Sequence, residues 1–184
     1  ENKNHSTDAD ALSARAALPL AERKLARERS RMEAASNSWY AGILRTAAAH
    51  IVGCGPRLQV YTDDAEQNDR IEKAWKKHAN EISLVDKLHV AVETYWRDGE
   101  WFALRADNQQ RFPVTTDFRP YEGDQVTQPY FHQADPTIDD GKKVGRLGNA
   151  VRFWIADHHP GDMNLGYASP LSGDWYDASE VIHL

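Results

Sequence analysis

Two short clusters carry residue types that do chemistry. Asp157, His158, His159 and Asp162 place two imidazoles and two carboxylates within six residues, the donor set of zinc and other divalent ions. Neighbouring side chains of an extended segment point to opposite faces, so His158 and His159 cannot easily share one ion. Pro160-Gly161 marks the stretch as a turn, and a loop is expected there, not a metal centre. Asp98 and Glu100 flank Gly99, and paired carboxylates can divide the work of general acid and base. The simpler account makes Gly99 a helix stop between two exposed acids. His78 and His89 fall on or beside helix faces and read as packed or rim histidines. Cys54 sits between two glycines just past a helix C-terminus, where the dipole disfavours a thiolate.

The familiar catalytic and nucleotide-binding signatures are missing. The sequence has no Gly-x-x-x-x-Gly-Lys-Ser/Thr loop, no Gly-x-Gly-x-x-Gly, no Gly-x-Ser-x-Gly and no Cys/His nucleophile pattern. The residues therefore predict no active site, no cofactor and no metal, and the elements that would position such groups become the main source of information.

Residues 1–18 open as a polar arm without periodicity, expected to be disordered. From Pro19 to about Ala35 runs a helical stretch with Arg23, Lys24, Arg27, Arg29 and Arg31 set against Glu22, Glu28 and Glu33. It reads as a solvated helix of mixed charge, or as a contact for a nucleic-acid backbone or an acidic neighbour. Trp39, Tyr40, Ile43, Leu44, Ala47, Ala48 and Ile51 recur at helical spacing and predict one broad apolar face. Gly53 suits a left-handed C-terminal stop, with Gly55-Pro56 completing the break. Arg57 to Tyr61 alternates like a short strand.

Asp63 or Asp64 can cap a helix whose buried face is Ile71, Ala74, Trp75 and His78. Ser83 is the expected cap of the next, with Leu84, Leu88, Val92, Tyr95 and Trp96 inward and Gly99 as terminator. Glu100 to Ala106 reads as a strand. Beyond it helical periodicity ends, and strand-like pieces alternate with turn signals such as Asp139-Asp140-Gly141 and Gly148-Asn149. The fold class expected is α+β: helices with short strands over 19–106, then a small, mostly antiparallel sheet with long loops over 107–184. The closing strand, Glu180 to Leu184, has no cap or polar tail, as in a fragment of a longer chain.

Composition limits the function classes further. In 184 residues, 41% are hydrophobic, 27% are charged and the formal charge is −6. That is enough for a core, with a mean hydropathy of −0.70. The net charge excludes a general nucleic-acid glue. A single cysteine excludes an internal disulfide framework and fits a reducing compartment. No apolar run reaches membrane-spanning length. Six Trp and seven Tyr are a heavy aromatic load and favour a protein with partners.

Five segments in order resemble the N-terminal, wing-forming region of lambda-like bacteriophage portal proteins. They are Ile51-Val52-Gly53-Cys54-Gly55 after an Ala- and aromatic-rich helix; the helix segment Asp69 to Trp75; and Arg97-Asp98-Gly99-Glu100-Trp101-Phe102. Asp140-Gly141 with Gly145-Arg146-Leu147-Gly148-Asn149 precedes the strand Val151 to Ile155, and Val181-Ile182-His183-Leu184 closes the series. The resemblance spans roughly residues 23–184. It implies a structural subunit, not an enzyme, assembled in the host cytoplasm into a homo-oligomeric ring, usually twelve-fold, at the portal vertex of the virion capsid.

The partners so implied are further copies of the chain, the terminase large subunit, the major capsid protein, a head–tail connector or adaptor, and double-stranded DNA passing through without sequence specificity. No membrane is involved. Family members continue into stem, clip and crown segments. Arg23, Lys24, Arg27, Arg29 and Arg31 are then candidate contacts to DNA or to the next subunit. Tyr130, Phe131, Trp175 and Tyr176 are candidate interface aromatics, local packing being the other account of them. The alternatives are a nucleic-acid-binding module built on the basic helix 23–31, a metal-dependent hydrolase at His158, His159 and Asp162, and a head adaptor or other capsid-associated protein.

Overall fold

A computed structural model describes residues 12–111, 113–127, 135–162 and 172–184. Tyr130 and Phe131 lie outside the described residues. The fold is α+β, with helices first and two antiparallel sheets after them. A helical turn α1 (Ala14–Ala17) leads into α2 (Leu20–Ser36), with Pro19 at the position where a missing N–H costs nothing. Asn37 ends α2 and starts α3 (Ser38–Val52). Its side chain accepts from the backbone N–H groups of Trp39 and Tyr40, at 3.0 and 3.3 Å.

α4 (Ala65–Glu81) is capped by Asp64, which accepts from the Gln67 N–H, and α5 (Leu84–Asp98) is stopped by left-handed Gly99. α3 and α5 run side by side in opposite directions. Gly55, past the end of α3, lies against Val85 at the start of α5, while Ser30 of α2 meets both Tyr40 and the carbonyl of Arg97.

The strands β1 (Phe102–Asp107), β2 (Thr116–Tyr121) and β7 (Val181–His183) form one sheet in the order β2-β1-β7. The second sheet has the order β3 (Ile138–Asp139), β4 (Lys142–Val144), β5 (Ala150–Ala156), β6 (Gly173–Asp177). β1 shows how alternation builds the layers. Phe102 points into the core shared with Tyr121, Val126, Phe153, Ile155 and Val181, and meets Phe153 edge-on at 5.7 Å. Its neighbours Trp101 and Ala103 point the other way, to Ala91 of α5 and to Phe118. The first sheet thus lies between the helices and the second sheet. The β3–β4 hairpin turns on Asp140-Gly141, both at positive φ, as a tight two-residue turn requires.

Several local expectations are corrected. Arg57 to Tyr61 joins no sheet; the N–H of Val60 donates instead to Glu72 of α4, at 3.0 Å. Ser83 does not cap α5 through its side chain, because its backbone is itself left-handed at φ 51. The strand expected from Glu100 begins two residues later and runs to Asp107.

Of the broad α3 face only Leu44 and Ala48 are buried, and Trp39, Ile43 and Ile51 are exposed. α4 buries no residue: Trp75 and His78 are half-buried, and Ile71 and Ala74 are exposed. In α5 the buried stripe is Leu84, Ala91, Thr94 and Asp98, with Tyr95 and Trp96 facing outward. The common reason is that α2, α3 and α5 cover one another only in part and α4 leans on α5, so apolar residues on the sides turned away from these contacts stay exposed.

Candidate functional site

Arg23, Arg27 and Arg31 recur every four residues, so helix geometry puts them on one stripe of α2. The stripe faces the β-rich part of the chain. Arg27 is buried, at 5% exposure. It donates through Nη2 to Glu100 and through Nη1 to Asp124 of the turn Gly123–Gln125, each at 2.6 Å. The guanidinium reaches them across Gly123, where a Cβ would come within 2.9 Å of Arg27 Nη1.

Arg31 donates to Asp98 through Nε and Nη2, at 3.0 and 2.7 Å, and through Nη1 to the other oxygen of Asp124. Arg97 closes a two-pronged contact on the same Asp98. At the start of α2, Arg23 pairs with Asp139 at 3.2 Å and Lys24 donates to Thr127 at 3.3 Å. Among the five basic residues singled out in the sequence, these four have partners inside the chain, while Arg29 is exposed. The guanidinium of Arg27 is not available to any outside ligand.

Asp98 and Glu100 are therefore not the exposed acids expected beside Gly99. The Asp98 side chain is fully covered, and that of Glu100 is three-quarters so. Burial pushes the Asp98 carboxyl up, but hydrogen bonds from Arg97 and Arg31 outweigh it and hold it below the usual range. Burial likewise raises Glu100 and Asp124. His183 and Arg27 bring Glu100 back below its ordinary value, and Arg27 and Arg31 do the same for Asp124. For Arg31, burial alone favours loss of the proton, yet Asp98 and Asp124 raise its pKa further still.

Two histidines border this network, His159 and His183. The N–H of Gly161 donates to His159 Nδ1 at 3.0 Å, which leaves Nε2 to carry the proton. Nε2 lies 3.2 Å from Glu122 and 3.5 Å from Asp124. His183 stacks flat on Phe102, with ring centroids 4.4 Å apart, and its Nε2 is 3.6 Å from Glu100. His158 and Asp162 stay on the exposed loop. Among the described residues no three histidine, cysteine or carboxylate groups are arranged to hold a metal ion.

Asp140, at the hairpin turn, is the discordant member. Its Oδ1 is buried without a hydrogen-bond partner, and burial raises its pKa despite Lys24, Arg23 and Arg27 nearby. Chemically the whole arrangement is a clamp of alternating charges. It fastens α2 and the end of α5 to the start of β1, to the turn at residues 123–125 and to the β3–β4 hairpin. The signal for it is present in the sequence as the four-residue spacing of the arginines. The acids that answer them are distant in the chain and carry no such spacing.

The exposed features lie on the opposite account. Trp39 is 84% exposed and Ile43 59%. They border a shallow cavity of about 550 Å³ along α3 that also includes Gly42, Thr46, Ala47 and His50. A second, polar-rimmed cavity of about 510 Å³ on α4 includes Ile71 and Ala74 beside Asp64, Glu66, Gln67 and Arg70. Of the aromatics proposed from sequence, Trp175 is half-buried opposite Trp154, and Tyr176 is half-buried against the core. Among the described residues no helix is long and apolar enough to cross a membrane.

The family model for phage portal proteins of the lambda family matches residues 1–184. No curated protein matches the chain.

Proposed function

We propose that this chain, which belongs to the lambda family of phage portal proteins, builds with further copies of itself the ring at one vertex of the capsid. In that role the ring is the conduit for DNA during packaging and ejection. It is also the platform on which the terminase large subunit docks first and a head–tail connector later. The match over the whole sequence carries this reading.

Three properties of the molecule support it. The basic stripe of α2 is used within the subunit, as the clamp that joins its helices to its sheets. A formal charge of −6 suits a wall past which DNA must slide, since a basic wall holds DNA through counterion release. The uncovered apolar sides of α3, α4 and α5 supply surface for neighbouring subunits or the capsid shell.

The test is an affinity label on this chain in assembled particles, with DNA content measured in parallel. Label at a single vertex of each capsid, and empty capsids when the chain is missing, are the expected results. Label spread over the shell, or capsids that fill without the chain, would overturn the proposal.

A further inference from the structure

We infer that residues 56–81, the strap before α4 and α4 itself, form an arm that turns as one body about a joint at the start of α5. A hinged arm needs a segment tied to itself, few ties to the rest, and end residues whose backbone can absorb the turn. This segment is tied to itself. The N–H of Val60 donates to Glu72 at 3.0 Å, and Thr62 exchanges two hydrogen bonds with Asn68. Asp64 caps α4 through Gln67, and Lys73 pairs with Asp69 at 2.6 Å. Asn68, Glu72, Trp75 and Ala79 fall on one stripe of α4 and are half-buried. The first two hold the strap, so the arm covers part of its own inner side.

Ties to the body are few. Among the described residues, the side-chain hydrogen bonds and ion pairs of 56–81 all stay within that segment. α4 leans on α5 but buries none of its 17 residues. By contrast, α2, α3 and α5 are joined through Ser30, Tyr40 and Arg97 and by the pair of Arg31 with Asp98. A part of a fold with few buried contacts is the part that opens or moves first.

Both ends of the arm meet at one place. Gly55 lies so close to Val85 that a Cβ would come within 2.6 Å of its Cγ2, and Ile82 is buried at 5% exposure. Residues at positive φ stand on each side of the arm: Gly53 and Gly55 before it, at 54 and 81, and Ser83 after it, at 51. Glycine changes its backbone angles at little cost, and a serine in the left-handed region is held there only weakly. A cavity of about 560 Å³, bordered by Trp75 and Ala79 of the arm and by Leu84 and Val85, gives the joint room to turn. The subunit is thus a clamped body with one adjustable arm.

The test is pulsed electron spin resonance on the intact protein with Cys54→Ser, spin labels being placed on introduced cysteines. Labelled chains are diluted with unlabelled protein, so that distances are read within one subunit. Arg29, Gln59, Arg70, Lys77 and Val90 are all exposed and take the labels. Arg29→Cys with Val90→Cys reports the body, and Gln59→Cys with Lys77→Cys reports the arm. Arg29→Cys combined with Lys77→Cys or with Arg70→Cys spans the joint. Along the helix Lys77 lies about 8 Å and Arg70 about 18 Å from Ile82. The body pair and the arm pair should each give one narrow distance. The spanning pairs should be broader, and the excess width at Arg70 should be about twice that at Lys77, as the two lever lengths require. Spanning pairs as narrow as the body pair would overturn the proposal by showing a fixed helix. An arm pair as broad as the spanning pairs would overturn it by showing a loose segment instead of a rigid arm.

Discussion

Arg27 on α2 and Glu100 at the start of β1 are 73 positions apart in the chain and 2.6 Å apart in space, with the arginine side chain only 4% exposed. The pair, shared with Asp124, is where the helical layer is pinned to the sheets. Removing one partner of a buried pair leaves an uncompensated charge, at a cost of about 3–5 kcal/mol. Arg27→Ala should lose that much stability in urea unfolding, while Arg29→Ala, on the exposed side of the same helix, should change it by less than about 0.5 kcal/mol. Equal small losses in both variants would show that the clamp contributes little.

Acid should release the clamp. Asp98, Glu100 and Asp124 are each pushed up by burial and pulled below their ordinary values by the arginines and His183 around them. The folded state therefore binds protons less readily there than the unfolded chain does. The stability they give is complete above the unfolded carboxylate range, about pH 4, and is lost as pH falls through the lower folded values. Asp140 has the opposite sign. Burial raises it, so it favours the fold at low pH and burdens it once pH rises through its folded value. Asp140→Asn should raise the Tm at pH 7 and leave it nearly unchanged near pH 3. Asparagine also tolerates the positive φ of 49 found there. A drop in Tm at pH 7 would show that the charge is needed.

The helices and most strands are legible in the sequence, because apolar spacing and Gly or Asn stops act locally. Asn37, Asp64, Gly99 and the Asp140-Gly141 turn all end or begin elements by rules that involve only near neighbours. What covers a helix is not local. α4 has the period of an amphipathic helix, yet Ile71 and Ala74 face solvent, since no second layer covers them among the described residues. In α5 the stripe is rotated, so that Thr94 and Asp98 are buried while Tyr95 and Trp96 are not. The rotation serves Asp98, which must meet Arg31, and no apolar pattern can report that requirement. The basic residues of α2 are conspicuous in the sequence, but the inward direction of four of them depends on Asp124, Thr127 and Asp139, roughly a hundred positions away.

Two glycines separate steric need from backbone need. Gly141 and Gly148 both have positive φ, 77 and 83. A Cβ at Gly141 would lie 2.6 Å from the Thr127 carbonyl oxygen, whereas at Gly148 nothing lies within 4 Å. Gly148→Ala should cost about 1 kcal/mol, from backbone strain alone. Gly141→Ala should cost at least about 2 kcal/mol more, because backbone must move. Equal losses in thermal unfolding would refute the distinction.

Ser83 holds a left-handed backbone, φ 51 and ψ 45, without using its side chain as a cap. Ser83→Gly should relieve that strain and stabilise the protein by about 0.5–1 kcal/mol, net of the greater freedom of the unfolded chain. A loss of stability in chemical denaturation would mean that the serine hydroxyl makes a contact in solution that the fold does not require.

The central claim is that this chain is a subunit of a closed portal ring. The most direct measurement is the mass and shape of the purified intact protein, by light scattering together with negative-stain imaging. A homogeneous population of closed rings, all of one copy number, is the predicted result. A monomer that persists as the protein is concentrated, with no annular particles in the images, would contradict it.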